Sequence, residues 1–456
     1  MKSFQQRLAL TLVGSLLVGP AFAASTDLSA ALIGQLRDLK PGDHALLTGF
    51  PVDEMHTASV DLERIDIYSP EARVIEVTAQ GERDLPRSRL IFFLGATNDA
   101  RARIGLSFDP DTLTLDATVR SSVGNYSVLG KMTGARMILA TRAVVETDNT
   151  GKPLDFRCGQ DKLDQSAIDA VLQRPPLTSP VEPSAIGGPR RKAVMAVDTD
   201  GELLNAPVFG GNTTTATNWI AQLFVQMNVL YERDFNTTLL QGTTFLNTNG
   251  ATDPYTSSGS NTAAYLNEFG TYWLNNRGRV FRHFALLLSG KSGSPNSASG
   301  IAWIDAYCAK GTAFGGGNLF GSYSVNEIFT FAGTTATQNA PLVAHEIGHN
   351  FGAPHTHCPY ATNGNAPLDQ CYNGEAGATP ACYAGTPACP SAANGSKGSL
   401  MSYCHVSGPS GANCGSNNYV LDYASTPANP VATQMNNRLT ANFSTCIDVV
   451  FKDGNQ

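Results

Sequence analysis

The sequence predicts two folded units in series, a β-rich domain followed by an α/β domain, and three observations carry that reading. A chain of 456 residues, 42% of them hydrophobic, is too long for one ordinary domain and too apolar to be disordered. Charge falls in a step: 43 of residues 24–192 are Asp, Glu, Lys or Arg, about 25%, against 24 of residues 193–456, about 9%. The step coincides with a segment from Arg174 to Lys192 that holds Pro175, Pro176, Pro180, Pro183 and Pro189 with Gly187 and Gly188. Such a composition gives an extended, exposed linker.

Taken in order, the chain opens with Lys2 and Arg7 ahead of an apolar run from Leu8 to Val18, then Pro20 and the small-residue site Ala21-Phe22-Ala23. That is the pattern of a secretory signal peptide over residues 1–23, too short for a membrane anchor. The protein is expected to be secreted, with its cysteines paired. A net charge of -7 without a long Lys/Arg run excludes nucleic acid and anionic membrane as natural partners.

Residues 24–173 hold short apolar or alternating stretches at Ser88 to Gly95, Ile104 to Phe108, Leu113 to Val119 and Met137 to Val145, the signature of strands. The linker, 174–192, ends in Arg190-Arg191-Lys192, which a dibasic-specific protease would accept. From 193 to 456 the pattern changes. Ala193 to Val197 reads as a buried strand, and Trp219, Ile220, Leu223, Phe224, Met227, Leu230 and Tyr231 recur at helical spacing on one face. A second helix carries Tyr265, Leu266, Phe269, Tyr272 and Trp273, and Val280 to Leu288 reads as another strand. From Pro359 to Lys397 the chain is rich in Gly, Asn, Ala, Pro and Cys and has no period, so it needs stapling or a function.

The chemistry is concentrated between Ala344 and His355, where the chain reads H-E-x-x-H-x-x-G-x-x-H. Val343 and Ile347 place a helix, with Asn339 as its cap and Pro341 in its first turn, against the core. On another face His345 and His349 are four apart, so their imidazoles converge as zinc requires. Gly352 permits the left-handed turn that brings His355 back as third ligand, and spacing favours it over His357. Three protein ligands leave a fourth position open, the mark of a catalytic rather than a structural zinc. Glu346 is placed to take a proton from water.

The motif together with Ser399-Leu400-Met401-Ser402-Tyr403-Cys404 resembles the metzincin zinc peptidases with their Met-turn, in the reprolysin-like (ADAM-type) branch found in secreted bacterial proteins, over residues 193–446. The resemblance implies a mixed, twisted sheet with flanking helices and a peptide substrate that adds to an edge strand at Gly300 to Tyr307. It also implies one zinc ion held by His345, His349 and His355, with Met401 beneath the ligands and Glu346 as general base. Tyr403 matches the tyrosine that astacins and serralysins use as a labile ligand and oxyanion donor. Thr356 departs from the branch, in which Asp follows the third His. His405 reads as a surface or supporting residue.

Nine cysteines are an odd number. Eight lie after the linker and can form four disulfides in any of 105 ways, which isolates Cys158. Arg157-Cys158-Gly159 resembles the cysteine switch of metzincin zymogens, in which a propeptide thiolate fills the open zinc position. Residues 24–173 are then expected to be a propeptide that silences the enzyme, and the function a secreted zinc endopeptidase acting on proteins or peptides. The competing readings are a binding or adhesion module on the same scaffold, and a zinc hydrolase of cell-wall peptides. Calcium sites are not legible in the sequence.

Overall fold

The computed structural model describes residues 25–449 apart from 122–123, 145–153, 164–189, 249–252, 258–262, 293, 296, 315–317, 379–380, 391–397, 416–429 and 443–447. The expected leader at 1–23 and the expected linker up to residue 189 lie outside the described residues. Among the described residues no helix is long and apolar enough to cross a membrane.

The first half builds an eight-stranded antiparallel sheet from β1 (Ser25–Ser29), β2 (His44–Pro51), β3 (Thr57–Ile65), β6 (Ile91–Thr97), β7 (Ala102–Asp109), β8 (Thr114–Ser121), β9 (Gly124–Thr133) and β10 (Arg136–Ala143). Its order is β1-β10-β9-β8-β7-β6-β3-β2. Period-2 alternation drives it: in β10, Met137, Leu139 and Thr141 turn inward between exposed neighbours. Helix α1 (Ala30–Asp38), capped by the Ser29 hydroxyl, which accepts from the Leu32 amide at 3.3 Å, lays Ile33 and Leu36 onto Phe50, Leu62 and Leu139.

The second sheet has the order β11-β15-β18-β14-β12-β13-β4-β5, from β4 (Val74–Thr78), β5 (Gly81–Leu85), β11 (Asp155–Cys158), β12 (Arg191–Thr199), β13 (Thr237–Asn247), β14 (Phe284–Ser289), β15 (Ser297–Ala302) and β18 (Tyr323–Glu327). Short strands β16 (Thr312–Phe314) and β17 (Asn318–Phe320) form a separate hairpin. Neighbours β18, β14, β12, β13 and β4 run parallel, and β15 opposes β18. Helices α2 (Gly201–Asn205), α3 (Thr213–Phe235) and α4 (Ala263–Asn276) link the parallel strands. The mixed α/β architecture agrees with the sequence, but the division at the linker is not a division of the sheet. Three strands from before the linker close it, β11 at one end and the β4–β5 hairpin at the other.

The same intermeshing explains α3. The sequence shows one apolar face, yet 15 of its 23 residues are buried. Its outer side is covered by the first sheet, where a Cβ on Gly105 would crowd Val225 and Val229, and Gln222 Nε2 donates to Ser107 Oγ at 3.1 Å. A helix buried on all sides needs no polar stripe.

Three boundaries differ from the sequence reading. The basic triplet is not free linker: Arg191 and Lys192 open β12 opposite Thr237 and Thr238, and Arg190 pairs with Glu63 at 3.5 Å and Glu232 at 3.4 Å. The strand expected from Val280 begins at Phe284, because residues 277–280 close a turn in which the Val280 amide donates to the Arg277 carbonyl. The substrate-edge strand, expected over Gly300 to Tyr307, runs from Ser297 to Ala302 and gives way to turns that hold Asp305 at φ 57°.

The aperiodic segment is stapled by Cys358–Cys382, Cys371–Cys404 and Cys389–Cys414, and Cys308 is disulfide-bonded as well. Cys371–Cys404 closes a loop across 33 positions. Replacing both cysteines by Ala is expected to lower unfolding free energy by about 4 kcal/mol from loop-closure entropy. Guanidinium unfolding measures it, and a loss below about 1 kcal/mol would contradict a stapling role.

Candidate metal centre

Helix α5 (Ala336–Asn350) starts one turn earlier than Asn339 suggests. Thr335 is the cap, in a reciprocal capping box with Gln338, and Asn339 sits buried inside the helix, where its Oδ1 accepts from the Phe329 amide at 2.8 Å. Pro341 therefore lies in the second turn. Val343, Ala344 and Ile347 face the core, and the Tyr231 hydroxyl donates to the Ala344 carbonyl at 2.8 Å. This fixes the opposite face, which carries His345 and His349. Gly352 at φ +94° turns the chain back, as its position requires, and returns His355 to them.

All three imidazoles are fully buried. His345 Nδ1 lies 2.7 Å from the Leu400 carbonyl, His349 Nδ1 2.6 Å from the Ala353 carbonyl and His355 Nδ1 2.9 Å from Glu375 Oε2. Each of those partners can only accept, so each Nδ1 carries the proton. The Nε2 atoms are then bare lone pairs, and they face one another at 3.1 Å for His345–His349 and 3.2 Å for His345–His355. Lone pairs at that distance repel unless a cation lies among them. Burial holds His345 well below the ordinary imidazole range, helped by its two neighbours, and lowers His349 to about 3, so both present neutral nitrogens. The donor set fits zinc.

A fourth donor completes the group. Cys158 Sγ, on β11, lies 3.4 Å from His349 Nε2 and 3.4 Å from Glu346 Oε2, and the four ligand atoms of Cys158, His345, His349 and His355 fall within 4.8 Å of one another. Cys158 is the free cysteine among the described residues and is buried. Burial and then the Glu346 carboxylate push its thiol up, and burial likewise pushes Glu346 above the usual carboxylate range. Glu346 Oε1 is buried with no hydrogen-bond partner among the described residues.

The segment bearing Cys158 is held along the site. β11 pairs parallel with β15, Cys158 opposite Gly300, and the Gly159 amide donates to the Gly300 carbonyl at 2.7 Å. The Tyr403 hydroxyl accepts from the Cys158 amide at 2.6 Å and donates to its carbonyl at 2.7 Å. His405 is half-buried and takes the supporting place of the two the sequence allowed, stacking on Phe156 with its Nε2 at 3.2 Å from the Phe156 carbonyl. Phe156 and Leu154 pack against Ala298, Phe329, Phe331 and Leu342. A Cβ on Gly300 would overlap the Glu346 carboxylate, so only glycine lets β15 pass so close.

Met401 is fully buried beneath α5, where a Cβ added at Gly348 would lie 2.5 Å from its Sδ. Thr356, in the place of the expected Asp, donates to Asp369, while its amide donates to the Met401 carbonyl at 3.0 Å. Thr356 thus ties the loop after His355 both to Asp369 and to the turn at Met401. His357 does not join the three imidazoles. Its Nε2 donates to Glu375 Oε2 at 3.0 Å. Sequence reasoning missed Glu375, which lies 20 positions beyond His355 in the aperiodic segment, where no local spacing announces it.

No curated protein matches the chain. A crystal structure of metalloproteinase-II from Bacteroides fragilis aligns over 72% of this chain and 86% of that one, at 10% identity and a TM-score of 0.35, a likeness too low to carry an argument. The family model Reprolysin_5, metallo-peptidase family M12, matches residues 188–418, half of the chain, and on that match the chain belongs to the reprolysin-like metallopeptidases.

Proposed function

We propose that the protein is a secreted zinc endopeptidase made as a precursor, in which Cys158 closes the metal site until the N-terminal segment departs. The observation that carries this reading is the convergence of three unprotonated Nε2 atoms and one thiol on a common point beside the orphaned Glu346 Oε1. His345, His349 and His355 would hold the zinc. When bound, zinc supplies a Lewis acid that polarises the scissile carbonyl and acidifies the attacking water. Glu346 takes the proton of that water and returns it to the leaving amine. Tyr403, released from the Cys158 backbone, would donate to the oxyanion. A substrate peptide takes the place of β11 along β15, and its side chain enters the pocket that Phe156 vacates. Large apolar residues should therefore be preferred beside the cut, which a peptide library would read directly; an acidic preference would contradict it.

Metal analysis with chelation tests the core of the reading. Activity on casein should vanish with a zinc chelator and return with added zinc, and chelator-insensitive proteolysis would refute it. Gly300→Ala should lower kcat/KM on the order of 10²-fold, since the added Cβ would lie 2.5 Å from Glu346 Cδ and force the carboxylate or the strand aside, and a shift of about 1 Å costs this much. An unchanged rate would remove Gly300 from the site.

A further inference from the structure

His345 and His349 are oriented by the rigid helix that bears them and by backbone carbonyls, at Leu400 and Ala353. His355 has neither support. It follows the Gly352 turn in an irregular stretch, and the group that receives its Nδ1 proton is a side chain. We infer that Glu375 is the positioning residue of the third zinc ligand, its one carboxylate oxygen taking the Nδ1 proton of His355 and the Nε2 proton of His357 together. The inference rests on the metal-site reading above.

Several independent features support it. Glu375 is 4% exposed, and its Oε2 lies 2.9 Å from His355 Nδ1 and 3.0 Å from His357 Nε2. A buried carboxylate is costly unless it is paired, and both of these partners are themselves fully buried. The turn that carries it is fixed at both ends. Cys371–Cys404 joins it to the turn at Met401, Cys358–Cys382 joins it to the residue after His357, and the Asn373 amide donates to the Ser410 carbonyl at 3.0 Å. His357 Nδ1 has no hydrogen-bond partner among the described residues, so its ring is held at Nε2 by Glu375 and by stacking 5.2 Å from His355. The irregular segment therefore serves the metal by delivering one oxygen to the back of His355. Such an outer carboxylate fixes the tautomer and ring orientation of a histidine ligand and is worth about 10- to 100-fold in metal affinity.

Zinc affinity of the full chain, measured by competition with a chromogenic chelator, separates this role from a merely structural one. Glu375→Gln should weaken zinc about tenfold and Glu375→Ala about 100-fold, with far-UV circular dichroism unchanged. Asn373→Ala removes a side chain of the same turn whose Nδ2 donates to the Gly385 carbonyl at 2.9 Å, away from the imidazoles, and should keep wild-type affinity. Folded Glu375 variants with wild-type affinity would overturn the inference, as would an equal loss in Asn373→Ala. Should the Glu375 variants not fold, the wild-type protein labelled with ¹⁵N-histidine decides. A slowly exchanging Nδ1 proton at His355 is expected, and its absence would overturn the inference. A wild type that binds no zinc, or His355→Ala binding it unchanged, would instead refute the metal-site reading itself.

Discussion

Glu346→Gln is expected to retain zinc and fold while losing peptide hydrolysis by about 10²- to 10⁴-fold, the range that a positioned general base contributes. The amide fills the same space against Gly300, so the strand need not move. It cannot accept a proton from water, so the loss should fall on kcat, with KM little changed. The assay is casein or a fluorogenic peptide cut by linker-processed protein, with zinc content measured on the same sample. Near wild-type turnover would remove Glu346 from the mechanism, and loss of zinc would make it a structural residue.

The second large effect concerns the precursor. Cys158→Ala removes the donor that completes the group around the three histidines, and an uncleaved precursor carrying it should hydrolyse a short fluorogenic peptide at least about tenfold faster than the wild-type precursor. The thiol is a strong zinc ligand, and its tether gives it an effective concentration on the order of millimolar. The variant should still fall short of the processed enzyme. Two further restraints survive the substitution, the pairing of β11 with β15 and the two hydrogen bonds from Tyr403 to the residue 158 backbone. A silent uncleaved variant would place the whole lock in those backbone contacts.

What was legible in the sequence was what local geometry determines. Four-residue spacing on a helix is enough to aim His345 and His349 at one point, and a glycine after the helix end is enough to bring His355 back, so the three histidines come from eleven consecutive residues. Parity isolates Cys158, and Arg157-Cys158-Gly159 carries its resemblance to a cysteine switch. The cap of α5 is also written locally, as Thr335 with Gln338 three positions on, whereas Asn339, a good cap residue by type, lies inside the helix. Contacts set by tertiary packing were not legible. The β4–β5 hairpin joins a sheet whose other strands begin no sooner than Asp155, far beyond Leu85, Arg191 and Lys192 look like linker until β12 pairs with β13, and Glu375 reaches His355 only because disulfides fold an aperiodic segment over it. Nor does a one-sided apolar pattern reveal that a second sheet covers the far side of α3.

These long-range contacts also bear on activation. Strands from before the linker sit at both ends of the second sheet, and Arg190 is clasped by Glu63 of β3 and Glu232 of α3. A cut within the triplet must open the start of a paired strand, so the precursor should resist dibasic-specific protease there longer than an exposed linker would. Timed digestion followed by N-terminal sequencing measures this, and immediate cleavage after Arg191 would contradict it.

The most direct test of the central claim is X-ray absorption at the zinc edge on the purified, uncleaved protein. The account predicts one zinc per chain with three nitrogen neighbours at about 2.0–2.1 Å and one sulfur at about 2.3 Å, the sulfur disappearing once the N-terminal segment is cleaved and removed. A zinc coordinated only by nitrogen and oxygen before cleavage, or a precursor that binds no zinc, would contradict it.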